Sequence, residues 1–250
     1  LAGNLNGATD LITVESLVDF FNTQQRDTLV YFDIEPIKPE EVKTLELGFR
    51  TTIGGKVYVD AGYYYSFYNN FIGYKIGVDA EFDDLGFPIG PVEAFRYSAN
   101  SDQDVTTQGF SIGFNYYVAE NYYINGNYSW NKLNTEVDDD IIPAFNTPEH
   151  KYNLGLSGRK IRVGGIRNIG FSINYKWIEG FIFEGSPQFT GFVPSYDLLD
   201  AQINFGIPKI NSTIKFGASN VLDSKNFQTF GGPRIGRLAY VSLTYEPSRR

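Results

Sequence analysis

The sequence predicts an all-β protein, an antiparallel transmembrane β-barrel with short turns at one end and long loops at the other. Three observations carry this: period-two alternation in every candidate strand, unusually long strands, and connectors that alternate short and long. Composition permits it. The 250 residues include 18 Tyr, 21 Phe and 26 Gly, with neither Cys nor Met and a single His at position 150, so no disulfide framework or cysteine zinc site can form. No run of about eighteen apolar residues exists, which rules out a membrane-spanning helix but not spanning strands. The net charge of -8 argues against nucleic acid as a partner. Without Met the chain reads as processed or as a piece of something longer, and LAGNLNGATD shows no signal peptide.

Leu1–Pro36 comes first. Leu11, Val14, Leu17, Val18 and Phe21 recur at helical spacing in DLITVESLVDFFNT, with Thr13 as N-cap. Residues 1–40 are expected on the long-loop side. This segment reads as a helix over the barrel mouth, a lid or a surface for an extracellular lipoprotein or other complex partner, or more plainly as a packed loop element.

Nine strands follow within 41–245: Lys43–Ile53, Lys56–Ile72, Ala94–Val118, Asn121–Leu133, His150–Gly158, Ile169–Phe183, Tyr196–Ile207, Thr213–Ser219 and Arg237–Tyr245. Most exceed the five to six residues or so of a soluble strand. In NYYINGNYSW, Tyr122, Ile124, Gly126, Tyr128 and Trp130 oppose Tyr123, Asn125, Asn127 and Ser129. The tight turns are Ile53–Lys56, Val118–Asn121, Gly158–Asn168 and Ile207–Ser212; the long connectors are Gly73–Glu93, Asn134–Glu149, Glu184–Ser195 and Asn220–Gly236. A break at Asn100–Asp104 would reverse this parity, so Ala94–Val118 reads as one kinked or bulged strand.

A soluble sandwich also alternates. Against it stand the strand lengths, the segregated turns, and aromatics near strand ends on the apolar face: Tyr122, Tyr128, Trp130, Trp177 and Tyr245, placed as membrane girdles. The span from Tyr122 to Trp130 is about 26 Å at roughly 3.3 Å per residue. At about 40° tilt it projects to roughly 20 Å, near the band of about 25 Å that barrels bury in lipid. The other face is rich in Gly, Asn, Ser, Thr and Lys and suits a wet lumen. Its candidate plug- or ligand-facing residues are Tyr58, Asp60, Tyr64, Asn125, Asn127, Lys176, Asp200 and Gln202, with Arg50 and Glu46 beside them.

Nine strands leave open edges that lipid does not tolerate, so further strands are expected before Leu1. KPEEVKTLELGFR (Lys38–Arg50), RYSANSDQDVTTQGFSIGF and NTPEHKYNLGLS resemble strand openings of TonB-dependent outer-membrane receptors. NVLDSKNFQTFGGPRIGRLAYVSLTY resembles that family's ending, through Asn220, Asp223, Gly232, Pro233, Gly236, Arg237 and Tyr245. The resemblance covers about Lys38–Tyr245. It implies the C-terminal part of a 22-stranded barrel in a bacterial outer membrane, filled by an N-terminal plug and driven by a TonB-type energy transducer, importing a siderophore, vitamin or oligosaccharide. The family ends on an aromatic; here Tyr245 takes that place and Glu246–Arg250 forms a tail, either an extension of the natural chain or an added one.

No catalytic constellation appears, so an enzyme is not expected, and no cofactor is implied. His150 reads as a polar residue at a strand start, and GGPRIG precedes no helix, so it is no phosphate loop. Acidic residues gather in the long loops at Asp79, Glu81, Asp83, Asp84, Glu136, Asp138, Asp139 and Asp140. The last three form a weak candidate divalent-cation site, against the plainer reading of solvated loops. Arg159, Lys160, Arg162 and Arg167 crowd the opposite end. Two other readings remain: a passive porin, adhesin or translocation component, and a soluble β-rich carbohydrate-binding module.

Overall fold

Alternating side chains give each strand one apolar and one polar face, and one antiparallel meander joins those faces from strand to strand into two opposite surfaces. The computed structural model describes residues 11–32, 35–83, 85–135, 141–164, 166–185 and 189–247. In chain order the elements are β1 (Leu11–Thr13), α1 (Val14–Thr23), β2 (Tyr31–Phe32), β3 (Glu41–Ile53), β4 (Val57–Asn69), β5 (Ile72–Asp79), β6 (Glu93–Asn100), β7 (Val105–Ala119), β8 (Tyr122–Leu133), β9 (His150–Val163), β10 (Ile166–Ile178), β11 (Phe181–Glu184), β12 (Thr190–Val193), β13 (Tyr196–Ile207), β14 (Ser212–Ser219) and β15 (Leu238–Tyr245).

Among the described residues nine strands form the main sheet, in the order β15-β14-β13-β10-β9-β8-β7-β4-β3. Every neighbouring pair is antiparallel. Its outer strands β3 and β15 pair on one side only, so the sheet is open. The joints β3–β4, β7–β8, β9–β10 and β13–β14 are short and share one end; the other four joints are long and share the opposite end. In the first short turn Gly54 and Gly55 take φ of 57° and 67°, the left-handed region that glycine enters without penalty.

Four strand assignments are corrected. The stretch expected as Lys56–Ile72 breaks at Asn70, which turns left-handed at φ 52°, and Ala94–Val118 breaks at Ser101–Asp104. The breaks face each other, joined by Ser101 N–H donating to Phe71 O at 2.7 Å. Both arms of one long hairpin therefore leave the main sheet together and continue as β5 and β6, which pair along their length. Parity survives because the chain bends at the break and does not reverse. Residues 73–79, expected as part of the loop Gly73–Glu93, are thus strand.

The expected turn Gly158–Asn168 is mostly ladder as well. Gly158 is no turn residue: it leaves room on the sheet for the ring of Phe171. A register shift follows, with Lys160 and Asn168 at φ 53° and 59°, and the reversal comes at Gly164. The strand expected to reach Phe183 ends at Ile178; β11 pairs with β12 as a separate hairpin.

The long-loop end carries its own cores. The β5–β6 hairpin joins β1 and β2 in a second sheet, order β2-β1-β5-β6, packed beneath α1. Thr13 caps α1, its hydroxyl accepting from Ser16 N–H at 3.3 Å. Leu17 and Phe20 are buried with Ile12, Val78 and Ala80, while Val14, Val18 and Phe21 are exposed. The buried stripe is rotated from the expected one because Phe20 packs on Phe82, ring centroids 4.8 Å apart. A second cluster joins Ile178, Val193 and Tyr196 to Phe227 and Phe230. The long connectors are packed against one another, which the reading as solvated loops did not anticipate.

Candidate functional site

The antiparallel register carries a face from strand to strand, so one face of the main sheet gathers the polar residues of every strand. Across β3, β4, β7 and β8 run Glu46, Tyr64, Gly109 and Asn131. A second row contains Arg50, Asp60, Gly113, Asn127, Asn153 and Lys176. A third contains Tyr58, Asn115, Asn125, Gly155, Asn174 and Asp200, and a fourth Ser157, Ser172, Gln202, Gly217 and Tyr240. The eight polar-face candidates therefore share one surface.

Many of these side chains are tied to each other. Asp60 pairs with the Arg50 guanidinium and accepts from Tyr58 Oη at 3.4 Å. Tyr64 Oη donates to Asn131 Oδ1 at 3.1 Å, Asn153 Nδ2 to Asn127 Oδ1 at 2.8 Å, and Tyr240 Oη to Gln202 Oε1 at 3.1 Å. Tyr64 can lie flat because Gly109 lies under it; a Cβ there would come within 2.6 Å of its ring. Lys176 forms no ion pair among the described residues, nor do Lys151 and Lys215, which the register places on the same face. A groove of about 610 Å³ over this face is lined by Glu46, Arg50, Asp60, Tyr64, Ser129 and Asn131. The chemistry is that of a hydrogen-bonding wall rich in amides and hydroxyls, with charges of both signs set into it.

The opposite face is apolar and uncovered. Leu45, Leu47, Val241 and Leu243 are 68–74% exposed, a pattern that requires lipid or protein against it. Aromatics mark both ends of this face. Towards the long loops, Phe110 lies 5.4 Å from Tyr128 and 5.9 Å from Trp130, and Tyr152 stacks on Trp177 at 5.4 Å, ring centroid to centroid. His150 belongs to this band: its Nδ1 shares a 2.6 Å hydrogen bond with Tyr128 Oη. Towards the short turns lie Tyr122, 6.3 Å from Phe171, and Tyr245, paired with Ser212.

At the long-loop end a cavity of about 510 Å³ lies between residues 35–38 and the β5–β6 hairpin, lined by Phe32, Glu35, Lys38, Lys75, Tyr97 and Asp102. Asn100 clasps its floor, accepting from Lys38 N–H at 2.7 Å and donating to Lys38 O at 3.0 Å and Asn70 O at 2.7 Å. The loops interlock beyond it. Tyr74 and Ile142 exchange backbone hydrogen bonds, Arg96 stacks on Tyr74 and donates to Gly185 O, and the Asn146 amide accepts from Glu184 N–H at 2.7 Å. Burial raises the Glu184 carboxyl above its ordinary value, opposed by the N–H groups of Ala144 and Phe145 and by Arg96. No local pattern announced Arg96 or Glu184, because their partners are distant in sequence.

The closing motif acquires a structural role. Asn220, left-handed at φ 50° and 4% exposed, donates to Ser224 O at 2.8 Å and Ile235 O at 3.2 Å and accepts from Ser224 N–H at 3.0 Å. Its own N–H goes to Asp200 Oδ1 at 2.8 Å, so that candidate carboxylate also anchors this loop. Asp223 accepts from Arg237 N–H at 2.8 Å and Lys225 Nζ at 2.9 Å, and these bonds hold its carboxyl below the usual range. A Cβ on Gly236 would strike both Lys225 and Asp223. The loop is thereby folded back to deliver β15 to β14. The candidate metal residues Asp138, Asp139 and Asp140 lie outside the described residues, as do Asp84 and Glu136.

Comparison with known proteins fits this geometry. The family described as TonB dependent receptor-like, beta-barrel matches residues 10–221. No curated protein matches the sequence. Among solved structures, the FrpB iron transporter from Neisseria meningitidis (F3-3 variant) is 12% identical, with TM-score 0.59 over 85% of this chain and 32% of its own. The siderophore receptor PirA from Acinetobacter baumannii is 14% identical, with TM-score 0.58 over 84% of this chain and 32% of its own. The copper transporter OprC is 14% identical, with TM-score 0.57 over 84% and 31%. At these identities the likeness is one of fold, and the chain spans about a third of each structure's length. With 212 of its 250 residues inside the matched region, counted from 10 to 221, the chain belongs to the TonB-dependent receptor-like β-barrel family.

Proposed function

We propose that this chain is the C-terminal wall of an outer-membrane receptor barrel that imports a nutrient too large or too scarce for diffusion. The observation that carries the reading is the two-faced sheet: an uncovered apolar face banded by aromatics at both ends, backed by a continuous wall of amides and hydroxyls. The apolar face meets outer-membrane lipid, with Tyr122 and Tyr245 in the periplasmic girdle and Tyr128, Trp130 and Trp177 in the outer one. The polar face lines the lumen. There Tyr58, Asp60, Tyr64, Asn125, Asn127, Lys176, Asp200 and Gln202 contact an N-terminal plug or the passing solute. The open edges at β3 and β15 pair with further strands of the barrel, in keeping with the third of the solved structures' length that the chain spans.

Uptake begins with capture at the interlocked loops, which form the outer surface together with residues 11–40. Release through the lumen depends on a TonB-type energy transducer acting on the plug. The solved relatives carry names of iron, copper and siderophore transport, and the cargo here belongs to the same broad set of scarce nutrients. The test is energy dependence. Removing the energy transducer is expected to abolish uptake of the cognate nutrient by cells expressing the receptor while leaving surface binding intact. Uptake that persists without the transducer would make the barrel a passive pore.

A further inference from the structure

We propose that the tip of the β9–β10 hairpin is a docking surface for the anionic headgroups of phospholipid in the periplasmic leaflet; this rests on the membrane reading given above. The tip, residues 159–168, is RKIRVGGIRN: four basic residues and no acidic one in a chain of net charge -8. Arg159, Lys160 and Arg162 are exposed, and none of the three side chains forms an ion pair among the described residues. Such a concentration of unpaired like charge is costly unless an anion neutralises it.

Position selects the anion. The ladder with β8 ends where Gly158 meets Tyr122, and the ladder with β13 ends where Ile169 meets Phe205. Beyond those pairs Arg159 N–H still donates to Asn121 O at 2.9 Å, and the rest of the hairpin's ladder is with itself, Ile169 with Ile161 and Ile166 with Val163. Tyr122 marks the periplasmic girdle, so the tip begins at the boundary of the hydrocarbon. From Gly158 to Val163, allowing one residue for the bulge, the strand advances about 13 Å at roughly 3.3 Å per residue. Tilted by about 40°, it rises about 10 Å from the girdle. The headgroup layer on one side of a bilayer is about 5–8 Å deep. Arg159 and Lys160 therefore emerge within it, and Arg162 near its outer surface.

The irregular backbone serves the same end. The bulge at Lys160, φ 53°, offsets the alternation just as the strand leaves the girdle. Ile161 stays on the Phe171 side, near the position a Gly158 Cβ would take, so the apolar face continues outward while the cations cluster around it. Val163 is 62% exposed on this extension. An apolar rib between cations matches a lipid surface better than a soluble acidic segment, which would leave Val163 in water.

The experiment uses the complete receptor reconstituted in phosphatidylcholine vesicles containing trace spin-labelled lipid, read as the motionally restricted fraction. Spin-labelled phosphatidylglycerol is expected to associate at least about threefold more strongly than spin-labelled phosphatidylcholine at low salt, since each basic group near an anionic surface contributes appreciably. The triple change Arg159→Gln, Lys160→Gln, Arg162→Gln is expected to bring the ratio close to one, and the pair Arg159→Lys, Arg162→Lys to retain it. A ratio near one for the unaltered receptor, or one unmoved by the triple change, would overturn the proposal and assign the tip to a periplasmic protein. So would loss of selectivity on adding inorganic phosphate but not chloride at matched ionic strength, which would indicate a discrete phosphate site. Failure of the membrane reading looks different: no restricted lipid at all, and protein released by alkaline washing.

Discussion

Arginine in place of Ile173 is expected to cost about 2–4 kcal/mol of folding stability in a bilayer, whereas arginine at the next residue, Asn174, is expected to leave folding and insertion nearly unchanged. Ile173 pairs with Leu156 and Ala201 on the apolar face. Along β10 it lies between the Trp177 band and the Phe171–Tyr122 contact, so it falls near the membrane midplane. A guanidinium there has no water to solvate it and no partner within reach. Asn174 lies on the other face between Gly155 and Asp200, where an added cation meets lumen water and a carboxylate. Urea titration of the two variants refolded in phospholipid vesicles measures the difference. Equal losses would mean that the faces of β10 do not meet different solvents.

The second large effect belongs to Asn220. Alanine is expected to cost about 2–4 kcal/mol locally: three hydrogen bonds disappear at roughly 1 kcal/mol each, and an amide N–H and two carbonyls lose their partner in a nearly closed site. Glycine at the same position separates two contributions. It accepts φ 50° freely yet makes none of the side-chain bonds, so a loss close to that of alanine assigns the effect to the amide. Aspartate fails for another reason, since it cannot donate to Ser224 O or Ile235 O and would bring a second carboxylate beside Asp200. Limited proteolysis between residues 220 and 237 reads the result. Cutting there is expected to accelerate at least tenfold in the alanine variant, and an unchanged rate would place the strength of the clasp in Asp223 and Arg237.

What the sequence revealed and what it hid divide along a physical line. Alternation is local, since each residue's face follows from its neighbour's, so the shared surface of Asn125, Asn127, Lys176 and Gln202 could be read by counting. Turn parity was legible for the same reason. What alternation cannot say is which sheet a strand belongs to. Phe95 and Tyr97 alternate with polar neighbours just as the residues of β7 do, yet they lie in the second sheet, beyond the break at Ser101. Glycine misled where it served packing: Gly158 resembled a turn and instead accommodates Phe171. The bonds that weld the loops, Arg96 to Gly185 and Tyr74 to Ile142, join segments tens of residues apart and leave no trace in either one. Asn220 and Asp223 stood out as a motif; that their task is to fold the last loop back onto β15 needed the coordinates.

The central claim, that the sheet separates lipid from water, is tested most directly by labelling single cysteines along β10, because these 250 residues contain no cysteine to interfere. With spin labels at residues 171–178 in the receptor reconstituted in vesicles, the odd positions are expected to be relaxed by oxygen, which concentrates in the bilayer. The even positions are expected to be relaxed by a water-soluble nickel complex, giving opposite oscillations of period two. Oscillations in phase, or odd positions shielded from both reagents as in the interior of a soluble sandwich, would contradict the account.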